Sequence, residues 1–95
     1  MDISIAGIDS MAFVDESYEI TLRATSAGKA IANYAIDTWA NGARITPSTV
    51  VTDGNGEARV TLYTPPAPAN IELKAMSGLQ QPIVLPVSVD RKSVV

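Results

Sequence analysis

Three oxygen-bearing side chains stand at alternate positions in the stretch VVTDGNGEARVTL, residues 50–62. They are Asp53, Asn55 and Glu57. Oxygen atoms at alternate positions could hold calcium, but an EF-hand loop needs more acidic side chains and a terminal bidentate Glu. Strand-like alternation resumes at Ala58, which is too early for a long ion-binding loop. The residues therefore leave two interpretations, a tight turn or a calcium site.

The two glycines between these side chains favour the turn. Gly54 and Gly56 can adopt positive φ angles, and Asn and Asp tolerate them too. Asp-Gly and Asn-Gly between two β runs are a hairpin signal. We predict a structural turn and no metal site, with Asp53, Asn55 and Glu57 kept as the alternative calcium candidates.

A second group of carboxylates lies near the start of the chain. It comprises Asp9, Asp15, Glu16 and Glu19. Such oxygens could hold calcium at a junction between tandem domains, since calcium prefers oxygen ligands. A solvated acidic loop is the simpler interpretation and the one we favour.

Two aromatic residues could contact a ligand. Trp39 could be an exposed platform, but a Trp beside a β run is usually packed with its indole N–H hydrogen-bonded. Tyr63, next to Pro65 and Pro66, could belong to an adhesive patch or be an ordinary tyrosine on the solvent face of a strand. We predict the packed and the solvent-face interpretations.

The composition argues against catalysis and nucleic-acid binding. The chain has neither cysteine nor histidine, which removes thiolate nucleophiles, the commonest general base and nearly all zinc sites. No Ser and Lys spacing supports a hydrolytic pair. Ten acidic and seven scattered basic residues give a net charge of −3, whereas nucleic-acid binding depends on a basic surface. We predict no enzyme, no catalytic residue, no cofactor and no nucleic-acid partner.

Strands must position these side chains, because apolar and polar residues alternate along most of the chain. The faces predicted to be buried are Ile3 and Ile5; Tyr18, Ile20, Leu22 and Ala24; Ala58, Val60 and Leu62; Ile71, Leu73 and Ala75; and Ile83, Leu85, Val87 and Val89. An antiparallel sheet with one buried and one solvated face produces this pattern. Turn signals recur at intervals close to those of a β-sandwich. We predict an all-β, immunoglobulin-like antiparallel sandwich of about seven strands.

Prolines mark two further features. The cluster from Pro65 to Pro68 predicts a loop that crosses between sheets, because proline cannot donate to a ladder. Pro86 interrupts the last run and predicts an edge strand or a bulge.

Residues 29–40 fit two patterns. Ile31, Tyr34, Ala35, Thr38 and Trp39 have helix-like spacing. The same segment offers one strand face, which is Tyr34, Ile36, Thr38 and Ala40. We favour the strand because every other segment is one and sandwich cores are built from facing sheets.

The order of these features resembles the bacterial immunoglobulin-like domains of invasin- and intimin-type surface proteins. An alternating strand from Glu19 to Thr25 is followed by Gly28-Lys29-Ala30 and by Tyr34-Ala35-Ile36. The pattern Thr-Asp-x-x-Gly-x-Ala-x-Val-x-Leu is matched by Thr52, Asp53, Gly56, Ala58, Val60 and Leu62. The resemblance covers roughly residues 16–89.

The resemblance implies a mechanical role and no catalytic residue. Such domains are usually stiff tandem spacers that hold an adhesive domain away from the bacterial cell. We therefore expect a non-catalytic module of a cell-surface or adhesin protein, whose partners are neighbouring domains of the same chain. The alternative is a docking module that binds a host or bacterial surface protein or a glycan through loops 41–44 or 65–70.

Residues 1–95 have the length of one domain. The start, MDISIAGIDS, lacks the basic beginning and long apolar core of a signal peptide, and no apolar run is long enough to span a membrane. We expect one module of a longer chain, with an extracellular location implied by the resemblance.

Overall fold

The computed structural model describes residues 2–8, 10–78 and 81–92. These residues form ten strands. The strands are β1 (Asp2–Ala6), β2 (Met11–Phe13), β3 (Ser17–Ser26), β4 (Lys29–Ala30), β5 (Ala35–Asn41), β6 (Arg44–Thr46), β7 (Thr49–Val51), β8 (Glu57–Tyr63), β9 (Ala69–Met76) and β10 (Ile83–Asp90). The described ranges contain no helix that could cross a membrane.

The strands make two five-stranded sheets. The first sheet has the order β1-β3-β8-β6, with β4 also paired to β3, and the second has the order β2-β10-β9-β5-β7. The predicted all-β sandwich is confirmed, but ten strands are described where about seven were predicted. The additional strands are short, since β2, β4, β6 and β7 have two or three residues each. So few residues cannot establish an alternating pattern.

The core lies between the sheets and is built mainly from the predicted faces. Of the predicted residues, Ile5, Tyr18, Ile83 and Leu85 are only partly buried, and the core also includes Ala12, which was not predicted. The largest completely buried side chains include Ile20, Leu22, Leu62, Ile71 and Leu73. Alternation places them inward because successive side chains of a strand point to opposite faces. In the described ranges, every buried side-chain nitrogen or oxygen has a hydrogen-bond partner. The buried polar side chains around the apolar core are therefore all hydrogen-bonded.

Residues 29–40 contain no helix, since they form β4, a turn at residues 32–33 and most of β5, so the helix alternative is wrong. Lys29–Ala30 pairs with the end of β3, and Ala35–Asn41 lies between β9 and β7. Ile36 and Thr38 are buried on the predicted face. The helix-like spacing is outweighed by the pairing of β5 with its two neighbouring strands, which provide hydrogen-bond partners for its backbone on both sides.

Pro86 lies in a strand that is an edge over only part of its length. β2 pairs with β10 at Ser88 to Asp90, whereas β9 pairs with β10 from Ile83 to Val89. The Ser88 N–H donates to the Ser10 carbonyl, and amides two residues apart point to the same side of a strand. The N–H that Pro86 lacks would therefore point away from β9, where no described strand pairs with it. The edge-strand prediction is confirmed for the first half of β10.

The turn between β3 and β4 carries a local strain. Ala27 and Gly28 both have positive φ, 51° and 79°, as a type I′ hairpin requires. Alanine adopts this conformation at a cost of about 1–2 kcal/mol, whereas Asn and Gly are preferred there.

We therefore expect Ala27→Asn to stabilise the domain. The gain should be about 0.5–1 kcal/mol, because Asn tolerates the left-handed conformation better than Ala. Thermal unfolding is the measurement, since each kcal/mol moves the Tm by roughly 4–8 °C in a domain of this size. The neighbouring exposed Ser26→Asn is the control, and an equal rise in both Tm values would contradict the explanation.

Candidate functional site

The turn from Asp53 to Glu57 is held by the Asp53 carboxylate. Its Oδ1 accepts hydrogen bonds from the Asn55 N–H at 2.8 Å and the Glu57 N–H at 3.1 Å. These two amides, that of Glu57 first, lower the pKa of Asp53 below its ordinary value. The Gly56 N–H donates to the Asp53 carbonyl at 3.0 Å. The predicted structural turn is confirmed, and the chain's own amides occupy one carboxylate oxygen.

The hairpin expected at this turn is wrong. β7, before the turn, pairs with β5 in the second sheet, and β8, after it, pairs with β3 and β6 in the first. The turn therefore carries the chain from one sheet to the other. Turn chemistry predicts that the chain reverses, but it does not determine which strands pair.

Thr52 and Gly56 explain why the turn has this sequence. The buried Thr52 hydroxyl accepts from the Tyr34 N–H at 2.9 Å and donates to the Ile31 carbonyl at 2.6 Å. Gly56 has a φ of 74°, and a Cβ there would lie 2.7 Å from the Ala24 carbonyl oxygen. The Thr-Asp-x-x-Gly pattern is thus a crossing turn that is fastened to the adjacent loop.

The alternative that Asp53, Asn55 and Glu57 bind calcium can be decided by a titration. Asp53, Asn55 and Glu57 are neighbours in the turn, and in the described ranges no three acidic residues are grouped to hold a metal ion. Because Asp53 is engaged by amides, we expect millimolar calcium to leave the Tm unchanged. A site with free calcium at about 100 times its Kd would add about 2.7 kcal/mol, and magnesium is the control for ionic strength.

The acidic residues near the start of the chain are not brought together. Glu19 lies on the outer face of the first sheet and forms an ion pair with Arg59 at 3.3 Å. Glu16 forms an ion pair with Lys92. The Asp15 N–H donates to the Pro65 carbonyl, and Asp9 lies outside the described residues. The Glu16 and Glu19 carboxylates are thus divided between separate basic partners, as expected for a solvated surface.

The two aromatic candidates lie on opposite outer faces. Tyr63 is 40% exposed, and the Arg44 guanidinium lies 4.7 Å from its ring centroid. Trp39 is half-buried on the outer face of the second sheet, opposite Lys74 of β9. The solvent-face position of Tyr63 is confirmed and Trp39 is partly packed. The hydrogen bonds of the described residues do not include the one expected from the indole N–H.

An open groove of about 770 Å³ lies on the second sheet and was not predicted from the sequence. It crosses four strands that are distant in sequence, so alternation within one strand gives no sign of it. Its lining includes Asn41, Gly42, Asn70, Glu72, Met11 and Pro86. The loops 41–44 and 65–70, which were predicted as docking candidates, contribute Asn41, Gly42 and Asn70 to this single groove.

The first and last strands begin and end at opposite poles of the sandwich. Asp2 pairs with Thr25, beside the turn at Gly56, and we call this end the Asp53 pole. Asp90 lies beside Val14 at the other end, next to Pro65, and we call that end the Pro65 pole. The ten residues of β3 span about 33 Å, so the strands must follow the longest dimension of 46 Å.

Solved structures with the same fold include domains of intimin and invasin. No protein-family model matches the chain, and no curated protein matches it in sequence. A C-terminal intimin fragment in complex with the intimin-binding domain of the translocated intimin receptor has a TM-score of 0.78 and 20% identity over 94% of this chain. The D0-D1 domain of intimin has a TM-score of 0.78 and 21% identity over 95%. Invasin, described as a bacterial integrin-binding protein, has a TM-score of 0.76 and 18% identity over 100%.

These likenesses confirm the predicted resemblance at the level of the fold. This chain has the immunoglobulin-like sandwich found in intimin and invasin domains. It spans 33%, 48% and 20% of the three solved chains in the order given. The activity and partners of those whole proteins are therefore not transferred with the fold.

Proposed function

From an immunoglobulin-like fold of the kind seen in intimin and invasin, we propose that this chain is a non-catalytic structural module of a bacterial surface adhesin. It sets the distance between neighbouring domains of the same chain and thereby holds an adhesive domain away from the cell. The observation that carries the proposal is the placement of the first and last strands at opposite poles, across a long dimension of 46 Å.

The packing of the domain supports a stiff module. Tight turns and buried threonines fasten the loops that cross between the sheets, as at Thr52. Each pole carries one exit of the chain, so neighbours on both sides extend the array instead of folding back beside it. The absence of cysteine and histidine from the sequence supports a role without catalysis.

Small-angle X-ray scattering on a tandem pair of this chain tests the proposal. We expect a maximum dimension close to twice the 46 Å axis of one domain. The single chain is the control. A pair whose maximum dimension stays near that of one domain would mean that the domains fold back on each other, and it would contradict the spacer role.

One observation supports a second candidate function, docking through the groove. Asn41 at the end of β5 and Asn70 near the start of β9 line the same groove at the Pro65 pole. Side-chain amides can both donate and accept hydrogen bonds, so they suit a polar partner such as a glycan or a protein backbone.

An Asn41→Ala, Asn70→Ala double variant tests docking on arrays of immobilised glycans and extracellular matrix proteins. Docking predicts that a signal given by the natural chain falls in the double variant while the Tm stays nearly constant. Asn55→Ala, at the opposite pole, is the control and should keep the signal. No signal from the natural chain on any array would contradict docking and leave the spacer proposal unaffected.

A further inference from the structure

One strand pair in the described ranges differs from all the others. β2 and β10 are parallel, and every other described pair is antiparallel. Met11, Ala12 and Phe13 lie beside Ser88, Val89 and Asp90. Parallel strands run side by side in one direction. The N-terminal end of one strand and the C-terminal end of the other therefore lie at opposite ends of the ladder.

The direction in which the chain runs determines how this strand pair responds to tension between the two poles. β1 begins at the Asp53 pole, and β10 ends at the Pro65 pole. β1 runs opposite to β3, and β2 runs with β10, so β1, β2 and β10 all run from the Asp53 pole toward the Pro65 pole. Tension between the poles first loads the β1–β3 ladder, because β1 lies between the N-terminus and β2. Once β1 has slid off β3, the tension draws β2 toward the Asp53 pole and β10 toward the Pro65 pole. The two strands are pulled past each other along their length.

We propose that the β2–β10 pair is a tension-bearing clamp that sets the force at which the domain unfolds. This inference rests on the proposed spacer function only for its biological use, because the loading geometry belongs to the fold itself. When two strands slide lengthwise, their ladder hydrogen bonds bear the load together. When two strands separate from one end, the bonds break one after another.

The ladder of the clamp extends beyond the assigned strands at both ends. The Ser88 N–H donates to the Ser10 carbonyl at 2.8 Å, and the Val14 N–H donates to the Asp90 carbonyl at 3.0 Å. Ala12 and Val89, paired in the middle, are 4% and 2% exposed. Water is therefore kept from the inner face of the ladder, which makes replacement of its hydrogen bonds by water slower.

β2 is also hydrogen-bonded to residues of the first sheet, so it cannot move without breaking those hydrogen bonds as well. The Phe13 N–H donates to the Tyr18 hydroxyl at 2.8 Å, and the buried Thr64 hydroxyl donates to the Phe13 carbonyl at 2.7 Å. The Thr64 hydroxyl also accepts from the Glu16 N–H at 2.8 Å. A strand of three residues is thus anchored to both sheets at its end near the Pro65 pole.

The test compares two directions of pulling on the same fold in single-molecule force measurements. The 95-residue chain is placed between marker domains and pulled through its two termini. It is then pulled between a cysteine at Phe13→Cys and the C-terminus. Phe13 is 43% exposed and the chain has no other cysteine, so the attachment is unique. The second direction separates β2 from β10 from one end.

We expect a several-fold larger unfolding force through the termini, and also between Ser10→Cys and the C-terminus, than through Phe13→Cys. The exposed Ser10 lies directly before β2, so this attachment slides β2 along β10 but bypasses the β1–β3 ladder, which therefore cannot account for the difference. Equal forces in the two directions would overturn the clamp. They would not affect the spacer proposal, which depends on the solution dimensions of a tandem pair. Urea unfolding of Phe13→Cys checks that the substitution keeps the fold.

A pair of variants tests the clamp independently. Val14→Pro removes the donor to the Asp90 carbonyl, and Val50→Ala truncates a half-buried side chain in β7, at the far edge of the same sheet. Each variant is characterised by its urea midpoint. For an equal decrease in the urea midpoint, we expect Val14→Pro to lower the unfolding force measured through the termini more than Val50→Ala does. The same ratio of lost force to lost midpoint in both variants would contradict the proposal, and if Val14→Pro does not fold, the two pulling directions still decide it.

Discussion

Leu62→Ala is expected to lower the free energy of unfolding by about 2–5 kcal/mol. Leu62 on β8 is 0% exposed and belongs to the buried core between the sheets. The truncation removes buried apolar surface and leaves a cavity, because the residues packed around it on both sheets cannot all relax into the space. For a domain of this size that is a large part of a total stability of about 5–15 kcal/mol.

Urea denaturation measures the effect as a lower midpoint with an unchanged slope. Val84→Ala is the matched control, since it also truncates an aliphatic side chain on a strand but at 45% exposure. Its cost should stay within about 0.5 kcal/mol. Equal losses for Leu62→Ala and Val84→Ala would mean that the space between the sheets is not the core.

Gly56→Ala should be the second severe change, because it combines backbone strain with a collision. The φ of 74° costs a residue with a Cβ about 1–2 kcal/mol. The new Cβ would also lie 2.7 Å from the Ala24 carbonyl oxygen and 3.1 Å from the Ile31 nitrogen. Both are backbone atoms, and the Ala24 N–H is itself bonded to the Gly56 carbonyl. We expect a total loss of roughly 3 kcal/mol.

Two other glycines separate the two causes. Gly28 has a positive φ of 79° with nothing within 4 Å of a Cβ, so Gly28→Ala should show the conformational cost alone. Gly54 has neither a positive φ nor a close neighbour, so Gly54→Ala should be neutral or stabilising by about 0.4–1 kcal/mol. Thermal unfolding of the three variants should rank Gly56 as the most sensitive and Gly54 as the least. Any other order would contradict the close approach at Gly56.

The residues that alternate strictly were predicted correctly from the sequence. The buried faces of β3, β8, β9 and β10 follow from period-two patterning, because only one register puts their aliphatic residues between the sheets. The turn at Asp53 followed from its glycines and from the ability of Asp to bond nearby amides. These features are local, and local chemistry determines them.

Features that depend on distant parts of the chain could not be predicted in this way. Which strand pairs with β7 is decided by the two sheets as a whole, so the hairpin was wrong although the turn was right. The groove forms where β2, β5, β9 and β10 meet, and no short stretch carries its signature. The parallel pairing of β2 rests on three residues, too few to show a period.

Pro86 has a consequence for proteins that carry several such sandwiches in one polypeptide. Its missing amide faces the unpaired half of β10, so a strand from another copy would find a gap in the row of donors there. Identical domains linked in series reach high local concentrations, and unpaired strand edges favour aggregation while such domains refold. If this domain is repeated in series as proposed, the ring of Pro86 would favour refolding of each unit on its own over joining the sheet of its neighbour.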